Sequence, residues 1–228
     1  MSATLRQNIQ QVQARINAAE KHSSRIEGIV QLLAVSKTRS ANEIRNAFAE
    51  GLTNFGENYL QEALEKQQQL TDLAICWHFI GPIQSNKTAA IAQHFDWVHS
   101  VDRIKIGRRL SEQRPAELEP LNICLQINIS GEASKSGIAI TDAAKLARQL
   151  IELPNIRLRG LMAIPSPTAD NSKLENEFAQ MKTLFEQLKA QGLNLDTLSM
   201  GMSNDLECAI AAGATIVRVG TALFGPRE

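Results

Sequence analysis

The sequence predicts a TIM (β/α)8 barrel with an extra N-terminal helix. Three observations carry that expectation: eight short apolar runs, helical periodicity between them, and 228 residues, inside the fold's usual range of about 200 to 400. Residues 4–22 come first, with apolar residues at Leu5, Ile9, Val12, Ile16 and Ala19, a helical spacing of three and four. The apolar runs follow at 31–36, 53–56, 75–80, 96–99, 121–128, 156–164, 196–200 and 215–219. Helical stretches fill the intervals at 41–50, 58–70, 87–93, 103–113, 141–152, 172–191 and 205–212. Ser40 with Glu43, and Asn204 with Glu207, have the three-residue spacing of helix-capping boxes.

Strand–helix alternation implies parallel pairing through right-handed crossovers. An open doubly wound sheet is the alternative, but no GxGxxG follows the first strand, and eight units suit closure. No linker or low-complexity tract divides the chain, so residues 1–228 read as one domain. The loops 130–137 ("SGEASKSG") and 165–172 ("PSPTADNS"), rich in small and polar residues, are expected to be the least ordered.

Composition excludes several classes. Lys plus Arg and Asp plus Glu both number 24, so no net field favours nucleic acid or an acidic membrane. The first 22 residues lack the apolar core of a signal peptide, and no apolar run approaches the roughly 20 residues of a membrane span. A cytoplasmic protein is expected. Cys76, Cys124 and Cys208 are an odd set without CxxC spacing, which reads as reduced packing residues rather than disulfide or metal ligands.

Chemistry in such a barrel collects where strands end. In chain order the ends carry Lys37, then Glu57 and Asn58, His78 and Gly81, Asn128, Met162, Ser199 and Met200, and finally Arg218, Gly220 and Thr221. Two adjacent loops, "SMGMSND" (199–205) and "VGTAL" (219–223), combine glycine with a hydroxyl ahead of a helix, a pattern suited to an anion such as phosphate. Gly220 would let the backbone approach a ligand, and Thr221 would sit at a cap. A lysine at the first strand and a phosphate cradle at the last two suggest a phosphorylated carbonyl compound. A desolvated lysine is a free amine that can form a Schiff base with it. The competing readings are structural: an ion pair of Lys37 with Glu57 or another mouth carboxylate, a pair of Arg218 with Glu57, a hydrogen-bonded core His78, and Met200 as packing.

The motifs "LLAVSKT" (32–38), "FGENYLQE" (55–62), "WHFIGPIQSNK" (77–87), "INISGEASKSG" (127–137), "GLMAI" (160–164), "LSMGMSND" (198–205) and "VRVGTALFG" (217–225) run through nearly the whole chain. In that order they resemble the pyridoxal phosphate homeostasis protein family, single-domain relatives of the alanine racemase barrel domain. The resemblance implies that Lys37 carries pyridoxal 5'-phosphate as a Schiff base and that Ser203, Gly220 and Thr221 hold its phosphate. It implies further that Arg218 faces the pyridine nitrogen and that Asn58, His78, Ser199 and Met200 line the pocket around the ring. A guanidinium keeps that nitrogen unprotonated and weakens the ring as an electron sink.

The implied function is to carry and buffer the cofactor in vitamin B6 homeostasis, without turnover. Apo-enzymes that accept the cofactor are the expected partners, with no nucleic acid or membrane, and the chain is expected to be a monomer. Two alternatives are an amino-acid racemase and a pyridoxal-independent Schiff-base aldolase. Racemisation needs a base on each face of the substrate carbon. In alanine racemase, the resemblance implies, the second is a tyrosine from a carboxyl-terminal domain. The present chain runs only nine residues past Val219, and its single tyrosine, Tyr59, reads as a rim residue. His78 is the one substitute the sequence offers.

Overall fold

In the computed structural model, which describes residues 3–132, 135–166, 168 and 170–226, eight parallel strands close into a barrel in sequence order. The strands are β1 (Gln31–Val35), β2 (Asn54–Glu57), β3 (Cys76–Phe79), β4 (Trp97–Val101), β5 (Leu121–Ile127), β6 (Ile156–Ala163), β7 (Thr197–Ser199) and β8 (Ile216–Val219). Closure runs through β1 against β8, with Leu33 opposite Arg218 and Ala34 opposite Val219. Each expected strand is present, because residues such as Leu32, Leu33 and Ala34 are buried on both faces, as a parallel sheet under helices requires.

The helices are α1 (Ala3–His22), α2 (Ala41–Ala49), α3 (Leu60–Gln69), α4 (Thr88–His94), α5 (Ile104–Gln113), α6 (Ile140–Ile151), α7 (Asn171–Ala190), α8 (Leu206–Ala211) and α9 (Thr221–Phe224). A 3-10 turn at Ser85–Lys87 precedes α4, and neither it nor α9 was expected from the sequence. Ser40 and Glu43 form the expected capping box on α2, the Ser40 hydroxyl accepting from the Glu43 amide while the Glu43 carboxylate accepts from the Ser40 amide. The second box is a correction. Asp205, not Asn204, occupies the cap position of α8, and Glu207 is drawn outward by Arg15 of α1 at 2.6 Å. Thr221 is likewise the first helical residue of α9, the cap position being Gly220.

The extra helix has a structural cause. α8 and α9 span only six and four residues, too few to cover the end of the barrel they flank. α1 packs against both. The Asn8 amide donates to the Leu223 carbonyl at 2.8 Å, and Arg15 donates to the Ser203 carbonyl at 2.9 Å. The buried Glu20 carboxylate accepts from the Gly28 and Val30 amides and so fixes the passage from α1 into β1. The core lies between the barrel and its helices, built from residues such as Phe55, Phe79, Phe95 and Phe178. Residues 133–134, 167 and 169 of the two small-residue loops expected to be least ordered lie outside the described residues. Among the described residues no helix is long and apolar enough to cross a membrane.

Candidate functional site

A cavity of about 460 Å3 opens at the carboxyl-terminal ends of the strands, where such barrels carry chemistry. Lys37, Asn58, Ser203, Arg218, Gly220 and Thr221 all line it. His78, Ser199 and Met200 do not. His78 and Ser199 are fully buried one level below, with their side chains in the barrel interior, while Met200, the residue after Ser199, is buried in the apolar core.

Lys37 sits just beyond β1 in a tight turn, closed by the Arg39 amide donating to the Ser36 carbonyl at 3.0 Å. The next residue, Thr38, has φ +64°, a left-handed conformation that is strained for a β-branched side chain. Two groups hold it there. The Thr38 amide donates to Glu62 Oε1 at 2.5 Å, and the Lys66 ammonium donates to the Ser36 carbonyl at 2.8 Å. Lys66 also binds Glu57 Oε1 at 2.8 Å and Glu62 Oε1 at 2.5 Å, while the Ser36 hydroxyl donates to Glu57 at 2.5 Å. The peptide units on both sides of Lys37 are therefore tied to one buried ion cluster. Desolvation of the fully buried Glu57 pushes its carboxyl above the ordinary value, outweighing the pull of Lys66 and Ser36. Glu57 thus takes Lys66 as its partner, in place of the pair with Arg218 that the sequence left open. Lys66 was not foreseen, although its i,i+4 spacing from Glu62 was a readable signal.

The opposite wall carries hydroxyls. Ser203 and Thr221 come from the loops after β7 and β8. Because α8 and α9 are short, hydroxyl and backbone groups rather than a sizeable macrodipole give this wall its donor character. Gly201 has φ +93°, and a Cβ there would lie 2.6 Å from Ala209 Cβ, so only glycine fits. Gly220, by contrast, has φ −118°; its constraint is a close approach to the Val35 carbonyl, 3.3 Å from an added Cβ. The Asp205 carboxylate closes the loop by accepting from the Met202 amide.

Arg218, 4 % exposed, forms the floor of the cavity. Its guanidinium donates to the Ser199 carbonyl at 2.6 Å, the Ser199 hydroxyl at 2.8 Å and the Ala163 carbonyl at 2.8 Å. Desolvation lowers its pKa to about 10, which leaves it cationic at neutral pH. Asn58 Oδ1 is a buried acceptor with no hydrogen-bond partner among the described residues, on a side chain that lines the same cavity. Such an orphan is the mark of a site that expects a ligand or water.

Below Arg218 a chain of polar groups crosses the barrel interior. Ser199 Oγ lies 2.8 Å from His99 Nδ1, His99 Nε2 lies 2.9 Å from His78 Nδ1, and His78 Nε2 lies 3.2 Å from Asn54 Oδ1. Burial pushes His78 down to about 3, and burial together with the neighbouring His78 and Arg218 holds His99 well below the ordinary histidine value. His99 escaped the sequence reading because its link to the site runs through Ser199 on β7, far from β4 in the chain. Cys76, Cys124 and Cys208 are all free thiols. Among the described residues no group of three or more His, Cys, Asp or Glu is placed to hold a metal ion.

A closed parallel barrel with a lysine after the first strand and a buried arginine on the last defines a class of (β/α)8 ligand-binding proteins, and the family model "Alanine racemase, N-terminal domain" matches residues 3–228. The chain belongs to that family, among its pyridoxal phosphate homeostasis proteins. It is 61% identical over 226 residues to the pyridoxal phosphate homeostasis protein of Pseudomonas aeruginosa, covering 99% of this chain and 97% of that protein. It is 50% identical to the protein of the same name from Escherichia coli K12, covering 97% and 96%. The solved structure of PipY from Synechococcus elongatus PCC7942 with PLP bound superposes with TM-score 0.81 at 40% identity, covering 92% of this chain and 100% of that one.

Proposed function

We propose that this protein binds pyridoxal 5'-phosphate and acts as its intracellular carrier and buffer, in a single barrel domain, without turnover. The observation that carries this reading is one cavity joining a clamped lysine, a hydroxyl wall and a buried arginine floor. The donor set fits the group: Lys37 for the aldehyde, Ser203, Gly220 and Thr221 for the phosphate, Arg218 toward the pyridine nitrogen, and Asn58 with its orphaned acceptor beside the ring. When bound, pyridoxal phosphate supplies a carbonyl for an amine and a ring that withdraws electrons. Arg218 stays cationic at neutral pH and so opposes protonation of that nitrogen.

The absence of turnover has a physical argument. A racemase needs a second base opposite the lysine. Tyr59 is 57% exposed and lies at the start of α3, outside the cavity lining. His78 has both ring nitrogens engaged in the barrel interior and does not reach the cavity. Ser199 supports Arg218 from below and Met200 packs in the apolar core, rather than either contacting the ring. In this reading the protein works as a cytoplasmic monomer and releases the cofactor to apo-enzymes.

Adding pyridoxal phosphate to the purified protein should give a visible absorption band at one equivalent. Incubating that complex with L-alanine in deuterated water should give no Cα exchange above free cofactor. Absence of the band would refute binding, and stereochemical exchange lost on Lys37→Ala would refute the non-catalytic role.

A further inference from the structure

We infer that His99 is a positioning residue of the cofactor site, acting on Arg218 through Ser199. The inference rests on the proposed function for its meaning, but its geometry stands apart. The chain Arg218–Ser199–His99–His78–Asn54 runs from the cavity floor to the first residue of β2, at the opposite end of the barrel. The Asn54 end fixes its direction, because the Ser199 hydroxyl beside Arg218 has two lone pairs. Arg218 can only donate, and Asn54 Oδ1 can only accept. The Ser199 hydroxyl, having accepted from Arg218, donates to His99 Nδ1. His99 Nε2–H then donates to His78 Nδ1, and His78 Nε2–H donates to Asn54 Oδ1. Along this chain each imidazole accepts at Nδ1 and donates from Nε2, which gives both one neutral tautomer; Cys76 Sγ, 3.4 Å from His78 Nε2, is then a second acceptor for the same N–H.

That arrangement has a consequence for Arg218. With its proton held by His99, the Ser199 hydroxyl keeps its lone pairs turned toward the guanidinium. With His99 removed, the proton has no acceptor there and can turn against Arg218. Trp97 stacks on His78 at 5.5 Å between ring centroids with an interplanar angle of 9°, and Arg159 lies over Trp97 at 4.8 Å, so the far end of the chain is held as well. Three carbonyl and hydroxyl contacts then set the one pose of the arginine: Ser199 O, Ser199 Oγ and Ala163 O.

The test begins on the unmutated, cofactor-free protein. Nitrogen-15 histidine spectra should show His78 and His99 each with Nδ1 bare and Nε2 protonated. A protonated Nδ1 on either ring, or a mixture of tautomers, would overturn the inference. Two substitutions follow. His99→Asn places an amide oxygen near the Nδ1 position and should keep the acceptor for Ser199; His99→Gln reaches the Nε2 position and should lose it. The Arg218 guanidinium resonances, resolved by hindered rotation, should survive in His99→Asn and collapse in His99→Gln. Loss of one hydrogen bond to a charged group predicts pyridoxal phosphate release accelerated roughly tenfold or more in His99→Gln, against about twofold in His99→Asn. Wild-type behaviour of both variants, or equal losses in both, would contradict the positioning role. Failure of the unmutated protein to retain pyridoxal phosphate would refute the proposed function instead, while the tautomer and guanidinium spectra would still decide the role of His99.

Discussion

The hydroxyls on the cavity wall sit on backbone held by side chains of α1 that do not line the cavity. Ser203 is carried on a loop whose carbonyl is gripped by Arg15, and Thr221 begins a helix that α1 holds through Asn8. The hydroxyls are thereby presented by fixed backbone, which lets single hydrogen bonds count. Hydrogen bonds to a charged group are worth ~1.5–3 kcal/mol each. Ser203→Ala and Thr221→Ala should each weaken pyridoxal phosphate binding by that order while leaving unphosphorylated pyridoxal nearly unchanged. Equilibrium titration with both ligands checks this; equal losses would mean that the hydroxyls do not meet the phosphate.

At the scale of elements, the turn after β1 is stapled to α3. Lys66 on α3 reaches the Ser36 carbonyl, and Glu62, one turn earlier, takes the Thr38 amide. The Lys66 and Glu57 side chains are 6% and 0% exposed, so neither charge is screened by water. Removing one member of such a pair costs ~3–5 kcal/mol, because the other is left buried and uncompensated. Lys66→Met should lower stability by about that amount, as read from urea unfolding. Pairing it with Glu57→Gln should recover a substantial part. A cost near zero for Lys66→Met would show that the cluster does not hold the Lys37 turn. The elements themselves were largely legible from the sequence: β1, β5 and β6 announce themselves as apolar runs, and α2 by its capping box. The cap of α8 was not, because Arg15, some 190 residues away in sequence, decides where Glu207 points. The support chain under Arg218 was hidden for the same reason. Ser199 and His99 face each other across the barrel interior from β7 and β4, a relation that no local spacing encodes.

Over the whole molecule, a barrel whose interior holds two neutral histidines should be sensitive to acid. Above the ordinary value of 6.5 both states are neutral at these positions and neither contributes a slope. Below 6.5 the unfolded chain takes up protons that the fold refuses, since His78 is held at about 3 and His99 also lies well below its usual value. Stability should therefore fall as pH drops from 6.5 toward 5, each histidine contributing up to ~1.4 kcal/mol per pH unit. Urea unfolding at pH 7, 6 and 5 measures this, and His78→Gln should flatten the decline by its share. An unchanged slope in that variant would show that His78 is not the buried neutral group described.

The central claim is that Lys37, clamped at the end of the first strand, is the residue that captures pyridoxal phosphate. Borohydride reduction of the loaded protein followed by peptide mapping tests it most directly. The account predicts one dominant pyridoxyl adduct on Lys37, and loss of that adduct together with the visible band in Lys37→Ala while the folded structure persists. A dominant adduct on Lys87 or Lys135 in the unmutated protein, or a band unaltered by Lys37→Ala, would contradict it.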